Sequence, residues 1–277
     1  MSLMRNREPL IVTRSVQHSI YVILLTLMLW VFLSNLYDGV RLLYMRRHTR
    51  GTRLYVPILN IIPNLACCFT SAFVLIQRVW PGFTTCEVVR VLDVVSLAFG
   101  TSSIVAILFI RVYYAWMRHR WLLYLGGVLI LATFVVGVTG FFALSMYADE
   151  KGTCLTSMDK HWSLAKFGTD IATNLTLSGL YLFVLGQMLR RGFSTALYEK
   201  LRHEGMLSAF LVVISAIITA VIVLLDLASD HSVYIYGVDL LISATLINQM
   251  LCKNRGSGNQ KRSAGQLQFR RVDHATG

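Results

Sequence analysis

From Ile20 to Leu33 the chain carries no charged side chain, and the same holds for Val128–Leu144 and Leu207–Leu225. Runs of this length are too long for buried strands. A helix that crosses about 30 Å of hydrocarbon needs about 20 such residues and satisfies its own backbone hydrogen bonds on the way. Seven stretches qualify, near 16–38, 56–78, 90–112, 121–147, 164–189, 207–228 and 233–251. The second is the most interrupted, with Pro57, Asn60, Pro63 and Asn64. Neighbouring helices can satisfy the groups that such residues free. Hydrophobic residues make up 55% of the 277 and charged residues 14%, against about 25% charged in ordinary soluble proteins. That balance excludes a disordered chain, a disulfide-dense secreted module and an ordinary soluble enzyme. The expected fold class is an all-α membrane protein. A seven-transmembrane helix bundle would occupy residues 16–251, after a short extracellular segment at 1–15 and before a disordered basic tail at 252–277. Residues 1–15 lack the apolar core of a signal peptide.

Lysine and arginine set the expected orientation. Of 26 such residues, 18 fall in Arg41–Arg53, Arg111–Arg120, Arg190–Arg202 and the tail, all on one side of a seven-span bundle. The other side holds eight. The positive-inside rule puts the richer side in the cytoplasm and the N-terminus outside. The net charge of +12 then needs no nucleic acid as partner. Anionic lipid attracts each basic residue near the surface by about 1 kcal/mol, so the bilayer is the expected partner and the plasma membrane the expected location.

Five cysteines fall in three settings. Cys67 and Cys68 lie within the second run and read as small apolar residues. Cys252, beside basic residues at the end of the last run, suits either lipidation or plain packing. Cys86 precedes the third run and Cys154 lies in the longest external loop, near 148–163. Both are expected on the oxidising side, where a bridge persists. The expectation is a disulfide pinning that loop over the mouth of the bundle; two free thiols are the alternative.

Polar residues inside a bilayer are costly and usually face the bundle interior. At about 100° per residue, Asp93, Ser96, Gly100 and Ser103 share a face of the third run, and Arg111 returns to it. Lys166, Asp170, Thr173 and Asn174 form a face of the fifth run, and Asp239 and Ser243 stand one turn apart on the seventh. Arg90 sits just above Asp93. One reading is an outward-opening ligand pocket between the third, fifth and seventh runs, using Asp93, Asp170, Asn174, Asp239, Arg90 and Lys166. The other is a set of internal ion pairs, such as Arg90 with Asp93 or Lys166 with Asp170. Asn35, Asn60, Asn64 and Asn248 lie towards the other end, where interhelical amide bonds contribute roughly 0.6–2 kcal/mol. Gly126, Thr133, Gly137 and Gly140 make a small-residue face on the fourth run, suited to close helix contact.

Seven spans, an external N-terminus and a cysteine at the head of the third span together resemble the architecture of G-protein-coupled receptors. Asp93 follows Cys86 by 7 positions and Arg111 follows it by 25. In the rhodopsin-like class, the resemblance implies that an acid at the first place meets a ligand and an arginine at the second couples to a G protein. The chain departs from that class in having Ile110 before Arg111, no proline in the sixth run, and Asn248-Gln249 where the class has Asn-Pro. The likeness is to a divergent, orphan receptor.

Enzyme chemistry is not expected. His18, His48, His119, His161, His203, His231 and His274 lie at span edges, in loops or in the tail. They supply neither an intramembrane metal set nor paired haem ligands. No Gly-x-Ser-x-Gly or phosphate-binding glycine loop occurs. No cofactor is expected. The primary expectation is a receptor-like sensor that takes a small extracellular ligand and signals to a G protein or another cytoplasmic partner. The alternative is a secondary transporter or an ion- or proton-conducting protein, whose intramembrane carboxylates line a path.

Overall fold

A computed structural model describes residues 8–46, 54–116, 119–149, 152, 154–190, 195–225 and 235–252. Its elements run α1 (Glu8–Arg46), α2 (Tyr55–Val79), α3 (Cys86–Ala115), α4 (Arg120–Ala143), β1 (Leu144–Ala148), β2 (Cys154–Met158), α5 (Lys160–Arg190) and α6 (Thr195–Leu224), then α7 (Ile235–Cys252). Residues 1–7 and the tail from 253 onward lie outside the described residues. Helix α1 starts at Glu8, within the segment expected to precede the bundle.

The molecule is a helical bundle with a reversed distribution of polarity. Its outer surface is apolar: Trp30, Tyr124 and Phe142 are all more than 70% exposed. Its interior holds Asn60, Asn64, Thr133, Lys166, Thr173 and Asn248 almost completely buried. A water-soluble domain does not expose apolar surface on this scale, whereas a bilayer solvates it. Helices α2, α3, α4, α7 and the Ser19–Met45 part of α1 are long and apolar enough to cross a membrane. The protein is therefore an integral membrane bundle with several spanning helices. Helix α5 is long enough, but Lys160, Lys166 and Asp170 dilute its apolar character. In α6 the apolar stretch is the shorter Phe210–Val223.

Helix α3 is the centre of the packing, in contact with α2, α4 and α5. One core joins Met28 and Phe32 of α1, Cys67 and Cys68 of α2, Ile104 and Ile107 of α3, and Leu240, Ala244 and Ile247 of α7. A second joins Val105 and Val112 to Leu122 of α4 and Leu177 of α5. The small face of α4 turns inward, with Gly126, Thr133, Gly137 and Gly140 all buried. A Cβ at Gly137 would stand 2.6 Å from the Ala98 Cα, so glycine here sets how near α4 lies to α3. In α2, Pro57, Asn60, Pro63 and Asn64 are buried rather than facing lipid. That is where the backbone groups they disturb can be satisfied.

The fourth apolar run does not remain helical to residue 147. The helix stops at Ala143, and Leu144–Ala148 pairs antiparallel with Cys154–Met158, from Leu144 opposite Met158 to Ala148 opposite Cys154. Hydropathy continues across this boundary, but the backbone finds a strand partner ten residues on. Gly152, at φ +74°, takes the left-handed turn, and its N–H donates to the Asp149 carbonyl at 2.8 Å. Asp159 then caps α5, its Oδ1 accepting the His161 N–H at 2.9 Å. Cys86 and Cys154 form the expected disulfide, with Cα atoms 5.5 Å apart. The loop is thus an ordered hairpin tied to the head of α3. Buried Gln77 of α2 donates its amide N–H to the Cys154 sulfur.

Candidate functional site

Among the described residues, three cavities follow one another along α3. The outer one, so called for its place beneath the hairpin, has about 80 Å³. Leu144 and Met146 of β1 and Cys154, Thr156 and Met158 of β2 close it from above, the inward set of a period-two pattern. Its walls come from α1, α2, α3, α4, α5 and α7 and are mainly apolar, with Asp93 the one carboxylate lining it among the described residues. Nearby, the Thr70 and Ser96 hydroxyls share a hydrogen bond of 2.5 Å that joins α2 to α3.

The middle cavity, about 30 Å³, is bounded by α3, α5 and α7. It gathers Lys166, Asp170 and Asn174 from α5 with Tyr236, Asp239 and Ser243 from α7. The i,i+4 spacing lets the fully buried Lys166 ammonium donate to the Asp170 carboxylate along one helix face. Asp239 accepts a hydrogen bond from Ser215 Oγ of α6 at 2.6 Å, within electrostatic reach of both Lys166 and Asp170. Two acids and one base give this cavity a net negative count. Tyr236 stacks on Phe167 at 5.1 Å between ring centres. The Tyr236 hydroxyl stands beside the buried Ser163 hydroxyl of α5, and Asn174 Oδ1 is buried without a hydrogen-bond partner.

The inner cavity, also about 30 Å³, is lined by Asn174, Ser178 and Tyr181 of α5, Arg111 of α3 and Met250 of α7. The Arg111 guanidinium lies 5.0 Å from the Tyr181 ring centre and donates to the Met250 sulfur. Among the described residues it makes no ion pair.

The expected ligand set is therefore divided. Lys166, Asp170, Asn174 and Asp239 come together as α5 and α7 were expected to place them. Asp93 belongs to the outer cavity, among α1, α2 and α7 side chains. Arg90 does not pair with Asp93. It pairs with Glu87 one turn earlier and lies over the Phe141 ring of α4 at 4.5 Å. Residues 90 and 93 are both half-buried on α3 but face different neighbours, and exposed Glu87 offers the closer carboxylate.

A separate polar cluster joins α1, α2 and α7 towards the opposite end. Asn248 donates to Asn35 Oδ1 at 3.1 Å and to Asp38 Oδ2 at 3.3 Å, and accepts from Asn60 Nδ2 at 3.0 Å. Asn35 also donates to Thr245 at 3.0 Å. The amides were legible as a set, but Asp38, Thr245 and Tyr236 were not singled out. Asp38 sits in the last turns of α1 beside the basic loop, where a lone acid reads as surface charge.

No model of a known protein family matches the chain, and no curated protein matches it.

Proposed function

We propose that this membrane protein binds and moves a small cation or proton through its bundle, using intramembrane carboxylates. The observation that carries the reading is the middle cavity, where Asp170 and Asp239 face a single compensating cation, Lys166. Ionisable groups are expensive inside a bilayer and typically mark ion paths or proton relays. An ion pair used for packing alone would be balanced; this group keeps one acid in excess, and space beside it. On this reading the protein spans the membrane seven times, has its hairpin end outside the plasma membrane, and is not an enzyme. The test is purified protein in sealed vesicles with a potential-sensitive dye. Wild type should dissipate an imposed cation gradient, and Asp170→Asn should slow this at least tenfold. Equal rates would refute the reading.

A second reading, a sensor that signals to a cytoplasmic partner such as a G protein, draws support from the roofed outer cavity. A mainly apolar chamber with one carboxylate, Asp93, under a disulfide-tied hairpin suits a small ligand entering from that end. Arg111 and the basic loops would then carry the coupling. The two readings separate cleanly. A pure receptor gives vesicles with no flux, and a thermal shift with ligand that Asp93→Asn removes.

A further inference from the structure

The three cavities share walls, and two of the shared residues, Tyr236 and Asn174, are polar. Tyr236, with Leu97 and Leu240, separates the outer cavity from the middle one. Asn174, with Ile104, separates the middle from the inner one. Tyr236 is 5% exposed, with its hydroxyl beside the buried Ser163 hydroxyl of α5; Asn174 Oδ1 is buried and makes no hydrogen bond. Buried polar atoms are nearly always satisfied, by protein or by water. A cavity needs only about 10–15 Å³ to hold one water, so each of the three compartments has room for water, with these two side chains packed between them. The hydroxyl can give and take a hydrogen bond, and the amide oxygen can take one.

We infer that the cavities form one proton relay running the length of the bundle, with Asp239 as its central carrier and Tyr236 and Asn174 as its two partitions. The inference rests on the reading of the protein as a cation- or proton-moving one and names the ion. The fixed charge of Arg111 favours the proton over a metal ion. Arg111 lines the inner cavity and, among the described residues, makes no ion pair. A metal ion carries its full charge past it, in a medium that screens little. A proton loses its charge on arrival at Asp239, which becomes a neutral carboxyl. The groups facing Asp239 are Lys166 and Asp170 from α5, Ser215 from α6, Thr101 from α3, and Tyr236 of its own helix. Lys166 is engaged by Asp170, so Asp239 is the acid left to take up and release the proton. Uptake forms an O–H bond on the carboxylate as one breaks in a protonated water. Release reverses this, and the bonding pair stays on the carboxylate oxygen.

The test uses the full, disulfide-bonded chain in neutral-lipid vesicles with a trapped pH dye and a potassium diffusion potential. Wild type should shift the internal pH as the potential drives protons. Asp239→Asn should slow the shift at least tenfold. Asn174→Leu fills the inner partition with a side chain of similar size and should slow it comparably. Tyr236→Phe keeps the stacking on Phe167 and removes only the hydroxyl, and should slow it several-fold. Bridge formation on a non-reducing gel establishes that each variant is folded. Wild-type rates in both Tyr236→Phe and a folded Asn174→Leu would overturn the relay. Sodium or potassium flux without proton flux would overturn it and leave the broader cation reading standing. Absence of any flux would overturn both.

Discussion

Two polar regions lie inside this bundle, and α7 contributes to each. Near the hairpin end, Asp239 joins Lys166 and Asp170 around a cavity, with the unpaired Asn174 Oδ1 and the Tyr236 ring at its walls. Towards the other end, Asn248 joins Asn35, Asn60 and Asp38 by direct side-chain hydrogen bonds. Residues 239 and 248 are nine apart, about half a turn out of phase at 100° per residue, so one helix presents a polar side chain to two different partner sets. The first region is charged and hollow, and the second is built mainly from amides in mutual contact. Amides can satisfy one another across helices at modest free-energy gain, which suits holding α1, α2 and α7 in register. Charges with space between them gain less from one another and leave room for something else. The difference teaches that polarity inside a membrane bundle has two uses, and that empty volume separates them.

The largest expected effect is at Lys166. Lys166→Met leaves Asp170 buried without its partner and should cost about 3–5 kcal/mol in reversible unfolding from mixed micelles. Lys166→Met combined with Asp170→Leu should recover most of that loss, because a buried pair can often be replaced by apolar residues at little cost. In the amide region, Asn248→Leu removes three interhelical contacts and should cost about 2 kcal/mol. If the Lys166 variant proves no more costly than the Asn248 variant, the distinction between charged and amide regions fails. The smallest effect should be Asn64→Leu. Its amide donates only to the carbonyl of Asn60 in its own helix, at 2.7 Å, and its oxygen is unpartnered. Replacing both by a methyl pair should change stability by less than about 1 kcal/mol in the same unfolding measurement. A larger loss would give Asn64 a place in the amide network.

Much of this architecture was legible from one-dimensional pattern. Apolar runs locate helices because lipid demands them, and the i,i+4 spacing of Lys166 and Asp170 already put opposite charges within reach. The placement of α5 and α7 polar faces around one space followed from helical periodicity. What periodicity cannot supply is the neighbour. Asp93 shares a face with Arg111 on an ideal helix, yet over five turns the surroundings of α3 change, from α1 and α2 to α5 and α6. Asp38 and Gln77 gain their meaning from partners on other helices or on the hairpin. The end of α4 was hidden for a related reason. Leu144–Tyr147 extends the apolar run without a charge, and only the pairing with Leu155–Met158 makes it a strand.

The most direct test of the account compares one variant from each region in the same vesicles. Proton flux is measured for wild type, Asp239→Asn and Asn248→Leu, each verified as disulfide-bonded. The account expects Asp239→Asn to lose at least nine-tenths of the flux while Asn248→Leu keeps more than half of it. Flux that survives Asp239→Asn but collapses in Asn248→Leu would contradict it, and would move the working site to the amide cluster.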